Sequence, residues 1–300
     1  MNPPPLIPLI DMRICRFEKD GRIMAGIYDD ETIASIAGSE DADPLDYLPG
    51  GDRRAELEDS IPADSVKLLV PNPRPNKLFL LAGNYAKHIE EGGEIAAERA
   101  ETFPYVFMKP PTTTLTNPGD PVVIPSVSPD HIDWELELGV VIGKGGKGIK
   151  EAEALGHVAG YTIFNDISDR KFRPNPDRKE RPRDRFFDWM HGKWHDRSCP
   201  SGPCITSSES ITDPQKLAMK LSVNGEVRQD ASTAQQIFSV AEVVAFISSF
   251  VTLERGDMIS TGTAAGVGNT TKTYLKSGDR IEATIEGIGT LVSPVVGERD

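Results

Sequence analysis

Asp133-Trp134-Glu135-Leu136-Glu137-Leu138-Gly139-Val140-Val141-Ile142-Gly143 is the stretch on which the fold turns. Its first half alternates strictly: Trp134, Leu136 and Leu138 point one way, and Glu135, Glu137 and Gly139 the other. As a β-strand this sets two carboxylates on one face, about 6.6–7 Å apart along the backbone. Val140-Val141-Ile142 is apolar on both faces, so the strand runs on into a buried sheet. Two like charges entering a core repel each other unless they pair with cations or hold a metal. The plainer alternative is a solvent-facing Glu pair on an edge strand.

A second apolar run, Gly160-Tyr161-Thr162-Ile163-Phe164, ends in Asn165-Asp166 and brings a third carboxylate. Three oxygen ligands from two neighbouring strands, with no His or Cys among them, suit a hard cation such as Mg²⁺, with Mn²⁺ or Ca²⁺ as alternatives. Around this centre the chain alternates short strands with turns and shows only two or three helices. The expectation is an α+β, β-rich fold.

Outward toward the N-terminus, Arg13–Phe17 and Arg22–Tyr28 flank Lys19-Asp20-Gly21, a hairpin signal. Residues 1–10 form a Pro-rich lead-in, and an acidic helix or loop is expected to about Ser65. Pro71-Asn72-Pro73-Arg74-Pro75 is a stiff linker and sets the expected boundary, with a small β-rich domain over 1–75 and a larger one over 76–300. After Gly83-Asn84-Tyr85 a helical pattern begins in which His88 and Glu91, at i and i+3, share a face. A carboxylate beside an imidazole fixes its tautomer and raises its basicity; a merely solvated helix is the alternative. Lys109 ends a strand, and an ordinary surface lysine is at least as good an expectation as a substrate contact.

Toward the C-terminus, Gly143–Gly148 lacks the phosphate-loop pattern and is a turn. From Arg170 to Arg185 eight cations face three anions, a local charge of +5 in a chain of −13. The segment 171–185 either steers an anionic ligand or is a solvated or contact loop. His191 and His195 have zinc-pair spacing on a helix, but Gly192 argues against a helix there and no third ligand is at hand. Cys199 and Cys204 flank a Pro-Ser-Gly-Pro turn and are structural. Asn224-Gly225 is a type I′ hairpin turn. Ser239-Val240-Ala241-Glu242 is a capping box opening an amphipathic helix whose Val240, Val243, Val244, Ile247, Phe250 and Val251 face the core.

Three blocks resemble the fumarylacetoacetate hydrolase family. They are Gly83-Asn84-Tyr85-Ala86-Lys87-His88-Ile89-Glu90-Glu91, Glu135-x-Glu137 with Asn165-Asp166-Ile167-Ser168-x-Arg170, and Thr261-Gly262-Thr263 with Gly266-Val267-Gly268. Lys193 lies between the last two. The likeness spans roughly residues 78–296 and points to the acylpyruvate hydrolase and 2-hydroxyhepta-2,4-diene-1,7-dioate isomerase branch. It implies a mixed β-roll core with a small N-terminal β-rich domain, a homodimer, and Mg²⁺ on Glu135, Glu137 and Asp166. It also implies His88 and Glu91 as the water-activating dyad and Lys193 as a catalytic cation. Tyr85, Arg170, Arg173, Gly262 and Thr263 would contact a small anionic 2-oxo acid. The implied reaction is hydrolysis of a C–C bond in a β-diketo acid through a pyruvate enolate. Isomerisation of a diene diacid and oxaloacetate decarboxylation use the same enolate, and a non-catalytic binding protein would keep only the fold. The chain departs from the family where Lys171 stands for Asp, Arg173 for Gln and Ala264 for Pro.

Bulk properties bound the rest. Three hundred residues, 38% hydrophobic and 26% charged, are ample for a large core. A net charge of −13 argues against a nucleic-acid surface and makes an anionic substrate depend on a local basic pocket. Three cysteines without a framework fit reduced thiols. No apolar run of about 18 residues and no signal-peptide pattern appear, so the expectation is a cytoplasmic protein with no membrane partner.

Overall fold

The computed structural model of the chain describes residues 12–97 and 99–298; the Pro-rich lead-in over 1–10 lies outside them. Twelve strands form the main sheet. At its centre Leu136–Ile142 lies antiparallel to Val158–Asn165 on one side and to Met258–Thr263 on the other. All seven residues of Leu136–Ile142 and all eight of Val158–Asn165 are buried, as the apolar runs require. Leu138, Val140 and Ile142 join one hydrophobic core, while Val141 joins a second on the opposite face. The first core also takes Met219, Leu221, Ile281 and Ile285 from a separate five-stranded sheet. Both faces of the central strand are therefore covered, and its two glutamates enter a dry interior rather than an edge.

The capping box at Ser239 and Glu242 forms and starts the helix Val240–Phe250. Val240, Val243, Val244 and Ile247 pack into the first core, each worth about 1.5–3 kcal/mol of apolar burial. Phe250, expected in the core, is 54% exposed, because the chain turns extended at Val251 before the last turn can be covered.

The N-terminal hairpin forms with Asp20 and Gly21 both at positive φ, and its first strand continues the main sheet by pairing Arg13 with Thr206 and Ile14 with Ile205. The acidic stretch before Ser65 is not simply helix or loop. It holds the strand Leu57–Pro62 at the sheet's margin, where an outer face can stay polar, while Thr32–Ile36, in the strand-like stretch before it, pairs between that strand and Arg22–Tyr28. The Pro-Ser-Gly-Pro segment is likewise no turn but part of the buried strand Cys199–Ser207. Pro203 is accommodated because the ladder with Val158–Asn165 is interrupted between Tyr161 and Ile163, so it owes the ladder no N–H.

Candidate active site

The strand ladder alone brings the three carboxylates together. Leu136 pairs with Asn165, the Asp166 amide donates to the Glu135 carbonyl at 2.9 Å, and Asn165 Oδ1 accepts from the Glu135 amide at 2.9 Å. Oxygens of Glu135, Glu137 and Asp166 then lie within 4.8 Å of one another, all three side chains buried. Gly139 continues the same face; a Cβ there would meet the Phe164 ring at 2.6 Å, so glycine lets that ring close over the strand beyond the carboxylates.

Cations meet part of the charge. Lys193 Nζ bridges Glu135 Oε2 at 2.7 Å and Asp166 Oδ2 at 2.8 Å. Its ammonium sits 5.4 Å from the Phe107 ring centroid and 5.9 Å from that of Trp189. Arg170 reaches Glu135 Oε1 at 2.6 Å and Asp133 Oδ2 at 2.7 Å. Lys109, for which a surface position was a fair expectation, is instead fully buried. Its Nζ lies 2.8 Å from Asp166 Oδ1 and donates to the carbonyls of Ile167 and Ser198 and to Ser198 Oγ at 2.8–2.9 Å. Four carboxylates (Asp133, Glu135, Glu137, Asp166) thus face three cations (Lys109, Arg170, Lys193).

The deficit falls on Glu137. Its Oε2 accepts from Ser260 Oγ at 2.5 Å and from the Gly262 amide at 2.9 Å, but Oε1 is buried with no hydrogen-bond partner. Burial, then the charges of Asp166 and Glu135, push its pKa well above the usual carboxylate range. Glu135 moves the other way: burial alone would raise it, yet Lys193 and Arg170 hold it well below that range. Lys193 is likewise held charged, since Asp166 and Glu135 outweigh its desolvation. An all-oxygen cluster short of one positive charge, with an orphaned carboxylate oxygen, fits a hard divalent ion.

The helix Ala86–Glu91 carries His88 and Glu91, with Nδ1 2.8 Å from Glu91 Oε1; both are partly buried. Glu91 Oε2 accepts from the Gly266 amide at 2.9 Å. Burial would raise the Glu91 pKa, but the hydrogen bonds from His88 and Gly266 overcome it and leave it low. The Gly266 carbonyl also accepts from Trp134 Nε1 at 3.1 Å, which ties the pair's partner segment to the residue preceding Glu135. Asn84 anchors this segment: its side chain exchanges hydrogen bonds with the Phe238 backbone and donates to the Thr261 carbonyl at 2.8 Å.

The remaining expected contacts fall in different places. Gly262, at φ +87°, gives its amide to Glu137. Thr263 Oγ1 donates to the Leu136 carbonyl and accepts from Gln229 Nε2. Tyr85 is 1% exposed, and its hydroxyl lies 3.4 Å from Met219 Sδ in the core. Arg173 is exposed and 3.5 Å from Glu180. The helix Asp184–His191 stops at Gly192, so no helix carries both His191 and His195, as Gly192 led one to expect. Arg178 pairs with both Asp184 and Asp188, one turn apart, and that clamp supplies what the Arg-rich pattern concealed. His195 lies outside the helix, 3.1 Å from Asp169.

Lys109 and Gln229 carry no local sequence signal. Lys109 acquires its meaning from Asp166, 57 positions later, and Gln229 from a bond to the Leu136 amide between the two glutamates. No helix among the described residues is long and apolar enough to cross a membrane.

Comparison with known proteins agrees with this geometry. The model of the fumarylacetoacetate (FAA) hydrolase C-terminal family matches residues 77–296, and one described as Rv2993c-like, N-terminal, matches residues 12–71. The chain is 37% identical over 238 residues to oxaloacetate tautomerase FAHD2A, mitochondrial, of Bos taurus, covering 79% of this chain and 71% of that one. It is 36% identical over 284 residues to 2,4-didehydro-3-deoxy-L-rhamnonate hydrolase of Sphingomonas sp. (strain SKA58), covering 93% and 94%. Among solved structures, maleylpyruvate hydrolase from Sphingobium sp. SYK-6 in complex with manganese(II) ion and pyruvate superposes with a TM-score of 0.72 at 30% identity, over 95% of this chain and 99% of that one. The α+β, β-rich sheets with a small N-terminal β-rich part are the fold these proteins share, and the chain belongs to the fumarylacetoacetate hydrolase family.

Proposed function

We propose that the protein is a divalent-metal-dependent hydrolase that cleaves a C–C bond in an acylpyruvate-type β-diketo acid. What supports this is a His88–Glu91 pair linked through Gly266 to Trp134 on the strand of three buried carboxylates, one of whose oxygens, Glu137 Oε1, has no hydrogen-bond partner. A divalent ion on Glu135, Glu137 and Asp166, with Mg²⁺ or Mn²⁺ the natural choices, would supply positive charge against the 2-oxo and carboxylate oxygens of the substrate. Every other step belongs to side chains. Arg170 and Lys193 hold Glu135 ionised, and Lys193 fixes Asp166 in place beside it. Glu91 keeps the His88 ring oriented with Nδ1 toward itself, leaving Nε2 free to take a proton from water. The hydroxyl adds to the distal carbonyl carbon, the C–C bond breaks, and its electron pair passes to the pyruvate fragment as an enolate. The Lys193 ammonium offsets the enolate's charge, and a proton then completes pyruvate and a carboxylic acid.

Arg173 and the basic segment 171–185 gather the anionic substrate, and Tyr85, Gly262 and Thr263 shape its seat through the backbone they anchor. The chain works as a cytoplasmic homodimer. A second reading is keto–enol isomerisation or oxaloacetate decarboxylation, which need the enolate but no activated water; the tautomerase relative supports it. The test follows enol absorbance on Mg²⁺- and Mn²⁺-loaded protein against acylpyruvates, oxaloacetate and a diene diacid. Acylpyruvate turnover lost in His88→Ala supports hydrolysis, and undiminished turnover in that variant removes it.

A further inference from the structure

Asp133 opens the carboxylate strand, and the mechanism above leaves it without a task. It is wholly buried and accepts four hydrogen bonds. Oδ1 takes the amides of Gly268 at 2.7 Å and Trp134 at 2.9 Å; Oδ2 takes the Asn269 amide at 2.9 Å and Arg170 Nε at 2.7 Å. The same arginine reaches Glu135. Two residues before Gly268, the Gly266 amide donates to Glu91, the carboxylate of the dyad, and the Gly266 carbonyl accepts from Trp134 Nε1 at 3.1 Å. The segment from Gly266 to Asn269 is therefore held at one end by Glu91 and at the other by Asp133.

Nothing bulkier than glycine fits at either anchor. A Cβ on Gly266, at φ +104°, would lie 2.0 Å from the Arg228 carbonyl oxygen. One on Gly268 would lie 2.0 Å from that of Thr273 and 2.7 Å from Asp133 Oδ1. Two close backbone approaches two positions apart make a short, stiff strap rather than a loop.

We infer that Asp133 is a positioning residue that ties the His88–Glu91 pair to the metal-side carboxylates through the strap Gly266–Asn269, in the order Glu91, Gly266, Gly268, Asp133, Arg170, Glu135. The role rests on the proposed reading that the pair works beside those carboxylates. With both ends fixed, His88 and Glu135 keep one separation; with one end free, the dyad helix is anchored on its N-terminal side by Asn84 alone. Misplacement of a reacting group by about 1 Å costs up to ~100-fold in rate.

The test uses Asp133→Asn, which keeps shape but gives up one oxygen and with it the acceptor for two of the four donors, and Trp134→Phe, which removes the indole bond to Gly266 along with part of its packing and changes no formal charge. Amide hydrogen exchange is read in the full chain alongside pH profiles of kcat/KM. In Asp133→Asn, exchange at Gly268, Asn269 and, across the strap, Gly266 rises by about tenfold or more while the sheet core stays protected. Its kcat falls ~10–100-fold with KM within about threefold, as expected when orientation rather than binding is lost. In both variants Glu91 loses part of its hold on the Gly266 amide, so the acid limb of the profile moves to higher pH. Faster exchange at Gly268 with Gly266 unchanged, or a freed Gly266 with a stationary acid limb, overturns the inference. The exchange arm reads the strap even in a protein that hydrolyses no acylpyruvate, so its failure and that of the proposed reaction are separable.

Discussion

Lys109→Met removes a charge while nearly conserving the shape of the side chain. In the wild type its ammonium makes one ion pair and three hydrogen bonds, all at 2.8–2.9 Å and all buried. Its removal leaves Asp166 Oδ1 without a countercharge and strips a donor from two backbone carbonyls. Breaking a buried pair by deleting one partner costs roughly 3–5 kcal/mol. A carbonyl left unsatisfied adds about 1–3 kcal/mol when water cannot reach it, and a methionine methyl gives back part through packing. The net expectation is a loss of about 4 kcal/mol in urea unfolding followed by tryptophan fluorescence. The variant should also become more metal-dependent. A divalent ion beside Asp166 replaces the missing charge, and saturation at 100 times its Kd adds about 2.7 kcal/mol in any variant that still binds it. A loss below about 1 kcal/mol would refute the assignment of Lys109 as the structural countercharge of Asp166. So would a loss that Mn²⁺ does nothing to offset.

Two further outcomes follow from the same geometry. Glu91 is held below the ordinary carboxylate range, so its ionised form stabilises the fold above that range, and the contribution is lost as pH falls through its depressed value. The stability gap between wild type and Glu91→Gln, read from melting temperatures across a pH series, should therefore be open at neutral pH and close on acidification; a gap that widens in acid contradicts the Gly266 and His88 bonds. Arg173→Gln removes an exposed cation paired only loosely with Glu180. If the basic segment gathers the substrate, its KM rises a few-fold at low salt and the effect fades at high salt; an unchanged KM at both salts takes Arg173 out of substrate capture.

Much of the site was legible because its signals are local. Strict alternation from Trp134 to Gly139 fixes which face the glutamates share, and an apolar run ending at Asp166 fixes the neighbouring strand. The Asn224-Gly225 turn and the Ser239–Glu242 cap are likewise decided by four residues or fewer, and both form. Lys109 was opaque for the opposite reason. Its burial depends on a partner brought in from the second strand of the ladder, and nothing between Phe107 and Pro111 records that. The strand Leu57–Pro62 hid behind charge: a strand at the sheet's margin needs only one apolar face, and its acidic residues imitate a solvated helix or loop. The helix Asp184–His191 hid behind arginines, since its clamp by Arg178 is a tertiary contact made by a residue outside it.

The central claim is a divalent ion held by Glu135, Glu137 and Asp166, and titration of the purified protein with Mn²⁺ followed by electron paramagnetic resonance tests it most directly. One ion bound per chain, displaced by Mg²⁺ and lost in Glu137→Gln while that variant keeps its fold, is the predicted result. A protein that binds no Mn²⁺, or one whose binding is indifferent to Glu137→Gln, contradicts it.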